Sequence, residues 1–392
     1  MIDQRIRPDG DASLNGTSVL DTQLQQIADQ RPDLCERAKQ LRLRPLVIEI
    51  EDRAWTLWRD ETLHVAVGDL GQDAMRLRTT GPEWDALVRD EVTPIGWMTA
   101  NTLDLSGGRI GHLLDWWLLL RSLLDDRPVH NPGDMAIDIS AIRSFSLCDP
   151  MTQMRDYLAE FGYLHIEGVF GQEEMDALSR DMNASESSYV DGDGNSWWAT
   201  VTDGTRRLVR MQDFDHRSDL AARILNGDRL VQIAAIPGLS HENLPDRPNR
   251  IEALVKPVGV VGGISDVPWH KDCSLGRHTT SCCSLTVGIS VSGAGPDSGQ
   301  LRVIPGSHRA HIWPALLDVD SLGLPNLALP TRTGDVTVHL SCTLHMAQPP
   351  TQRERRVMYT SFELPALDAE AARQSRAAVW RRREGAPLNA SQ

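Results

Sequence analysis

The chain has 392 residues, of which 41% are hydrophobic and 24% are charged, a composition typical of a soluble protein long enough for two domains. Its formal net charge is -14, so electrostatic repulsion opposes nonspecific binding to nucleic acid and to anionic lipid. We therefore expect neither nucleic acid nor a membrane as a partner.

The six cysteines are irregularly spaced and form no CxxC pair, so the sequence predicts neither a disulfide framework nor a structural zinc site. Residues 1–30 do not combine a basic start, an apolar core and a cleavage site, which argues against a secretory signal. The most apolar run, residues 110–124, is too short to span a bilayer. These features predict a cytoplasmic location.

The first part of the chain predicts a small α+β domain over residues 17–130, preceded by a flexible tail over residues 1–16. Its predicted helices cover residues 21–43, 81–90 and 110–126, and its predicted strands cover residues 46–50, 54–59 and 63–67. The last of these helices is apolar around nearly its whole circumference, so it is either a central core helix or one wall of an apolar binding tunnel. Turn-forming residues then predict a linker over residues 131–143.

Residues 144–392 predict a second domain with many short strands. Its predicted helices cover residues 150–160 and 172–182, its predicted strands cover residues 251–258, 281–292, 300–305, 335–347 and 355–363, and a last helix follows residue 368. This pattern favours a double-stranded β-helix (jelly-roll) domain with flanking helices. A Ser- and Gly-rich segment over residues 185–204, with Trp197 and Trp198, is either a lid with aromatic substrate contacts or a surface loop.

Two histidines and one aspartate in the second domain form a candidate metal site. His270 and Asp272 are separated by one residue on a predicted strand end, so both side chains point to the same side. His345 lies in a later β-rich run that can return beside them. Two neutral nitrogens and one carboxylate oxygen suit Fe(II) that must also bind a cosubstrate and O2, although zinc or manganese accepts the same ligands. A His-x-Asp tripeptide alone is a weak signal, because a solvated strand end produces the same letters.

Four segments around these residues carry a family resemblance, namely residues 157–170, 269–272, 299–308 and 343–359. In this order they resemble the phytanoyl-CoA dioxygenase family of Fe(II)- and 2-oxoglutarate-dependent oxygenases, and the likeness extends over residues 144–365. The resemblance implies that His270, Asp272 and His345 bind Fe(II). It also implies that 2-oxoglutarate and O2 are cosubstrates and that succinate and CO2 are released as a substrate is hydroxylated, without a side-chain general base.

The same resemblance implies which residues hold 2-oxoglutarate. An arginine 11 positions after the distal histidine, here Arg356, would bind the far carboxylate, because a guanidinium stays charged and binds a carboxylate through two parallel hydrogen bonds. Arg210 is a second candidate for anion contact, the alternative being a surface arginine on a strand. Ala347 departs from the family pattern, which often has a small hydroxyl residue there. Either another donor such as Arg210 or Thr360 replaces that hydroxyl, or the affinity for 2-oxoglutarate is lower. The aspartate at 272 argues against the halogenating branch of the superfamily.

Trp55, Trp58, a helix with Trp84 and residues 103–108 before the apolar helix carry a second resemblance. Over residues 40–126 the order of elements is similar to sterol-carrier-protein-type lipid-binding domains, which implies a module that presents an apolar substrate to the oxygenase. The sequence therefore predicts a dioxygenase that hydroxylates a hydrophobic or amphipathic small molecule. Two alternatives stay open: a lipid-binding or carrier protein without turnover, and a metal-dependent jelly-roll isomerase.

Overall fold

The computed structural model describes residues 16–71, 73–243, 249–263, 268–275, 284–316 and 318–364. Its α-helices are α1 (Gly16–Ser18), α2 (Leu24–Gln30), α3 (Pro32–Arg37), α4 (Gly81–Val88), α5 (Pro94–Thr99), α6 (Ile110–Leu124), α7 (Met151–Phe161), α8 (Gln172–Ser185), α9 (Asp219–Leu225) and α10 (Asp228–Ala235). Its strands are β1 (Leu46–Ile50), β2 (Arg53–Arg59), β3 (Leu63–Val67), β4 (Met75–Thr79), β5 (Asp104–Ser106), β6 (Tyr163–Ile166), β7 (Ser196–Val201), β8 (Arg206–Met211), β9 (Ile251–Lys256), β10 (Val260–Gly262), β11 (Leu285–Ser290), β12 (Leu301–Val303), β13 (Leu327–Leu329), β14 (Val336–Leu340), β15 (His345–Ala347) and β16 (Arg355–Phe362). Among the described helices, none has both the length and the apolar character needed to cross a bilayer.

The amino-terminal domain contains a five-stranded sheet with the order β3-β2-β1-β4-β5. The three predicted strands are confirmed as an antiparallel meander, while β4 pairs parallel with β1 and β5 forms the other edge. The sequence analysis missed β4 and β5, because only Met75 and Leu77 mark the first and the second has three residues. The single helix predicted over residues 21–43 is wrong. It is interrupted between Gln30 and Pro32, since proline disfavours helical backbone in the preceding residue.

The apolar helix α6 lies in the core of the amino-terminal domain. Every side chain from Leu113 to Leu124 is buried, including Asp115 and Arg121. The helix packs against α2, α3, α4 and α5, and the Trp116 indole N–H donates to the Arg44 carbonyl at 2.7 Å. Contacts on all sides favour the interpretation of α6 as a core helix over that of a tunnel wall.

The carboxy-terminal domain combines an eight-stranded sheet, ordered β10-β7-β8-β9-β16-β11-β14-β6, with a three-stranded sheet, ordered β13-β12-β15. Helices α7 to α10 cover one face of the large sheet, and their apolar side chains form one core with residues such as Met358 and Phe362. We call this the helix-covered face. The opposite, inner face carries polar side chains, among them Thr286, His339 and Tyr359, which are neighbours across β14, β11 and β16. The two sheets and their flanking helices agree with the predicted jelly-roll architecture.

Two expectations for this domain need correction. The segment over residues 185–204 is not only a loop, because β7 pairs with β8 and places Trp197 opposite Arg210 in the large sheet. The strand predicted over residues 335–347 is two strands that belong to different sheets, β14 and β15. The helices predicted over residues 150–160 and 172–182 are confirmed as α7 and α8. The predicted helix after residue 368, and the predicted tail up to residue 15, lie outside the described residues.

Candidate metal centre

Three side chains from two distant parts of the sequence converge between the two sheets. The backbones of His270 and His345 bond in both directions, at 3.1 and 3.0 Å, so that the two segments run side by side. Their imidazole ring centroids are 4.3 Å apart. One donor atom from each of His270, Asp272 and His345 lies within 4.8 Å of the other two. Lys271, between the first two residues, is directed elsewhere, and its Nζ donates to the Ser307 carbonyl at 3.1 Å.

Backbone carbonyls fix the orientation of both imidazoles. The Nδ1 atom of His270 lies 2.6 Å from the Pro268 oxygen, and that of His345 lies 3.0 Å from the Thr343 oxygen. A carbonyl oxygen only accepts hydrogen bonds, so each ring carries its proton on Nδ1 and keeps the lone pair of Nε2. Each Nε2 is therefore the atom available to a metal, in the arrangement common among metal-binding histidines.

Asp272 presents one carboxylate oxygen to the two imidazoles. Its Oδ1 lies 3.2 Å from Nε2 of His270 and 3.5 Å from Nε2 of His345. Its Oδ2 accepts a hydrogen bond of 2.8 Å from the Thr286 hydroxyl, which belongs to the large sheet. The hydroxyl thus limits rotation of the carboxylate and leaves Oδ1 directed at the histidines.

The protonation states match those of metal ligands. Burial disfavours the charge of Asp272, but the neighbouring imidazoles, His345 first, favour the carboxylate and hold the pKa of Asp272 well below its usual value. Burial, assisted by the His339 ring, lowers the pKa of His345 well below its usual value. At neutral pH these two residues are therefore a carboxylate and a neutral imidazole, the forms that bind a metal.

His339 is a third imidazole that the sequence analysis did not single out. Its ring centroid lies 3.9 Å from that of His345, and burial lowers its pKa. His339 lies in β14 opposite Thr286 of β11, and it therefore shares the inner face with the predicted triad. The signal in the sequence is the alternation of Thr337 and His339 with buried apolar residues in β14.

Arg356 does not reach the triad, contrary to its predicted role. Its Nη1 donates to the carbonyl and hydroxyl of Ser179 at 3.1 and 2.9 Å and to the Asn183 amide oxygen at 2.7 Å. Its Nε donates to Glu354 at 2.9 Å. Ser179 and Asn183 belong to α8, so Arg356 extends from the helix-covered face. Neighbouring residues of a strand extend to opposite faces, so Arg356 and Arg355 lie on different sides of β16.

Arg355 is the arginine of β16 that lies on the inner face. It is 4% exposed; its Nη1 donates to the Gly299 carbonyl at 2.9 Å and its Nη2 to the Tyr359 hydroxyl at 3.1 Å. Its Nε has no hydrogen-bond partner among the described residues. On the same face, Ser361 stands opposite Thr286, the residue that holds Asp272. A buried, unpartnered guanidinium N–H beside a hydroxyl is suited to an incoming carboxylate.

Gly288 makes room for the ring of Tyr359, the residue that is hydrogen-bonded to Arg355. Gly288 lies in β11 between Tyr359 and Thr337 of the adjacent strands. A Cβ atom at Gly288 would lie 2.7 Å from a ring carbon of Tyr359 and 2.9 Å from the Thr337 hydroxyl, both closer than van der Waals contact. The missing side chain therefore permits the observed position of the tyrosine ring.

Arg210 also lies on the inner face, but its guanidinium is already paired. Nε and Nη2 donate to the two carboxylate oxygens of Glu252, and the guanidinium carbon lies 4.2 Å from the centroid of the Trp197 ring. Burial opposes its charge, while Glu252 and then Asp272 raise the pKa of Arg210. Arg210 is therefore partly buried rather than a surface arginine, and Glu252 holds its guanidinium on the inner face, where the charge of Asp272 also acts on it.

Thr360 cannot supply the hydroxyl that is missing at Ala347. Its Oγ1 donates to the Arg250 carbonyl at 2.7 Å and accepts from Asn243 at 3.0 Å. It follows Tyr359 in the strand and faces the opposite side. Tyr359 lies on the inner face of β16 with its hydroxyl beside Arg355, a position that its residue type did not indicate in the sequence.

Several solved structures are similar to part of the chain. The epimerase SnoN, in complex with Fe3+, alpha-ketoglutarate and nogalamycin RO, is 17% identical, with 55% of this chain and 83% of that chain covered and a TM-score of 0.43. EctD from S. alaskensis, with 2-oxoglutarate and 5-hydroxyectoine, is 17% identical. The match covers 60% of this chain and 83% of EctD, with a TM-score of 0.45. HygX from Streptomyces hygroscopicus, with nickel and 2-oxoglutarate bound, is 20% identical. The match covers 54% of this chain and 86% of HygX, with a TM-score of 0.40.

No curated protein matches the chain. One family model, described as phytanoyl-CoA dioxygenase, matches residues 158–357, which is just over half of the chain and includes His270, Asp272 and His345. The match lies wholly in the carboxy-terminal domain, so the resemblance of residues 40–126 to sterol-carrier-protein-type domains gains no support from it. The chain belongs to the phytanoyl-CoA dioxygenase family.

Proposed function

We propose that this chain is an Fe(II)- and 2-oxoglutarate-dependent dioxygenase that hydroxylates an amphipathic small molecule. The proposal depends chiefly on the convergence of His270, Asp272 and His345 within 4.8 Å. Two neutral nitrogens and one anionic oxygen fit Fe(II) that keeps further positions open. Membership of the family favours the same metal and the same cosubstrate.

We propose Arg355 and Tyr359 as the residues that bind the far carboxylate of 2-oxoglutarate, in place of Arg356. Arg355 combines burial, a fixed charge and an unpartnered Nε–H. Tyr359 accepts a hydrogen bond from Arg355, and its own O–H remains able to donate to a carboxylate. The pair therefore offers the charge and the hydroxyl that the family pattern places on Arg356 and at position 347.

When bound, Fe(II) and 2-oxoglutarate supply the oxidation, in which O2 converts 2-oxoglutarate to succinate and CO2 and one oxygen atom enters a substrate C–H bond. The residues of the chain bind and orient the participants. The two backbone carbonyls fix the imidazoles, and Thr286 keeps Oδ1 of Asp272 directed at them. Arg355 and Tyr359 would orient the cosubstrate, and no side chain has to transfer a proton.

The substrate class is proposed from the side chains beside the triad. Trp197 is half-buried and contributes an aromatic surface, while the adjoining Arg210–Glu252 pair contributes a polar one. An aromatic and a polar surface side by side on the inner face favour a small molecule that has an apolar body and at least one polar group. The same description fits a predicted amphipathic substrate better than a purely hydrophobic one.

Labelled 2-oxoglutarate tests this proposal. Metal-free protein, prepared without O2, is given Fe(II), O2 and 2-oxoglutarate labelled at C1; the label is followed in CO2, and the unlabelled succinate is measured separately. We expect slow release of both without substrate, because the cosubstrate is oxidised even when no C–H bond is presented. The release should be lost in His270→Ala and kept in His165→Ala, a control that removes a similarly buried histidine paired with Asp335 at 3.1 Å.

Other results would favour the alternatives. Turnover of a substrate with zinc or manganese and without O2 consumption would indicate a metal-dependent isomerase. Binding of an apolar ligand that is unaffected by His345→Ala, together with no succinate under any condition, would indicate a carrier protein. Either result would contradict the dioxygenase proposal.

A further inference from the structure

The segment that carries His270 is held on the side opposite His345 by a second piece of chain. The backbone N–H of Lys271 donates to the Pro314 carbonyl at 2.8 Å, and that of Leu316 donates to the Trp269 carbonyl at 3.1 Å. Residues 314–316 therefore run antiparallel to the metal-binding segment. The position of His270 depends on where this piece of chain is fixed.

The amino-terminal domain fixes it. Trp313, just before Pro314, donates its indole N–H to Oδ1 of Asp115 at 3.0 Å. Asp115 lies in the buried part of α6, and its Oδ2 accepts the backbone N–H of Arg42 at 3.0 Å. Gly111, one turn earlier in α6, has no side chain to obstruct the Trp313 ring, since a Cβ there would lie 3.3 Å from it. The core helix of one domain thus orients the chain that flanks His270 in the other.

A second set of contacts holds the turn that carries Asp272. This short 3-10 turn, Asp272–Ser274, ends with carbonyl groups that have no further turn to satisfy them. The Thr93 hydroxyl donates to the buried Ser274 carbonyl at 3.0 Å, and the Thr99 hydroxyl donates to the Leu275 carbonyl at 2.8 Å. Both threonines flank α5 of the amino-terminal domain.

We propose that the amino-terminal domain is a positioning element of the metal centre, with Thr93 as its main positioning residue. It would hold Asp272 through the Ser274 carbonyl and His270 through the Asp115–Trp313 hydrogen bond. This role differs from that of a module that delivers substrate. The inference rests on the proposed metal site, and it adds that the site loses affinity when the contact between the domains is altered.

Ordinary domain packing would bury apolar area without directing hydrogen bonds at one turn. Here a threonine hydroxyl, itself buried, meets a buried carbonyl two residues after a predicted ligand. Loss of the Thr93 hydroxyl leaves the buried Ser274 carbonyl without a hydrogen bond, which costs free energy. The turn can reduce this cost by moving so that the carbonyl finds another donor. Such a shift would move the Asp272 carboxylate away from the imidazoles.

Titration of the full-length, metal-free protein with Co(II) tests the inference, because binding and the ligand-field spectrum report the site without turnover. Thr93→Val keeps the shape of the side chain and removes the hydroxyl. We expect Co(II) affinity to fall about tenfold, at the lower end of the effect of residues that orient metal ligands, with an altered spectrum. Thr93→Ser, which keeps the hydroxyl, should restore both.

Thr80→Val is the matched control. Thr93 also caps α5 by accepting the Gly96 N–H at 3.1 Å, and Thr80 caps α4 in the same way by accepting the Glu83 N–H at 3.4 Å. Both valine variants lose a helix cap, but only one loses a contact with the metal-binding turn. Lower thermal stability in both, with weaker Co(II) binding only in Thr93→Val, would support the inference.

The inference is overturned if Thr93→Val binds Co(II) within twofold of the unaltered protein with the same spectrum, or if Thr80→Val weakens binding equally. It is also overturned if the unaltered protein binds no Co(II) through His270 and His345. A protein that binds Co(II) there and yet never oxidises 2-oxoglutarate would contradict the proposed function alone. The two proposals can therefore fail separately.

Discussion

Replacing Arg355 with glutamine removes the cation that we assign to the cosubstrate, whereas the same change at Arg356 removes a cation from the helix-covered face. The two residues are adjacent in β16 and identical in type, so the pair of variants tests the direction of the side chain rather than the composition of the strand. Arg355→Gln and Arg356→Gln are therefore the most direct test of the corrected assignment.

The contacts set the size of the expected effect. Hydrogen bonds to charged groups contribute about 1.5–3 kcal/mol each, and the replacement amide keeps one neutral donor worth about 1 kcal/mol. Loss of a two-bonded carboxylate contact at Arg355 should therefore cost about 2–5 kcal/mol of cosubstrate binding. At about 1.4 kcal/mol for each factor of ten, 2-oxoglutarate should bind about 30- to 4,000-fold more weakly.

Arg356→Gln should behave differently. It loses hydrogen bonds to Ser179 and Asn183 and the contact with Glu354, none of which lies on the inner face. We expect about 1–2 kcal/mol less stability and unchanged affinity for 2-oxoglutarate. Calorimetric titration of the Fe(II)-loaded protein without O2 measures that affinity, and a thermal melt shows whether each variant is folded.

The reasoning is refuted if Arg356→Gln weakens 2-oxoglutarate binding by tenfold or more while Arg355→Gln, folded, binds it normally. Equal effects of both variants would also contradict it, because the two side chains extend to opposite faces. Tyr359→Phe refines the test. It removes only the hydroxyl and should weaken binding by about 10- to 140-fold, the equivalent of one hydrogen bond to a charged group at about 1.5–3 kcal/mol.

Two further predictions concern pH and packing. Burial lowers the pKa of His345 and His339 in the folded chain, whereas the same histidines in the unfolded chain take up protons below about pH 6.5. The free energy of unfolding of the metal-free protein should therefore fall from pH 7 to pH 5. Asp272 should not offset this loss, because its carboxyl group is ionised in both the folded and the unfolded chain over this pH range. A denaturation midpoint that is equal or higher at pH 5 would contradict this account. Gly288→Ala, whose Cβ would lie 2.7 Å from the tyrosine ring, should lower both the melting temperature and the affinity for 2-oxoglutarate, whereas Gly262→Ala, with no contact closer than 3.8 Å, should change neither; equal melting curves for the two variants would count against the proposed role of the glycine.

Much of the architecture could be read from local pattern. The three strands β1 to β3 and the helices α6, α7 and α8 were predicted within a few residues, because each has a clear apolar period. The errors arose where local and tertiary effects compete. The segment around Trp197 has the composition of a loop, yet it pairs with β8 and becomes the edge region of a large sheet.

The candidate site divides in a similar way. His270 and Asp272 could be paired from spacing alone, and a β-rich run marked His345. The face of β16 could not be decided as easily, because Val357 and Thr360 are both buried and obscure the alternation of polar and apolar residues. Only the apolar Met358 and Phe362, which share the face of Arg356, indicate that Arg355 is directed inwards. Contacts between the domains left no local signal at all.

Each predicted ligand depends on a different part of the fold. His345 belongs to the small sheet, the Asp272 carboxylate is oriented by Thr286 of the large sheet, and the turn and strand around Asp272 and His270 are held by Thr93 and Trp313 contacts with the amino-terminal domain. A metal that binds only when all three parts are in place stabilises them together, since binding to the folded state alone shifts the unfolding equilibrium. The domain that the family model leaves unmatched is, on this argument, part of what holds the metal site in its binding geometry.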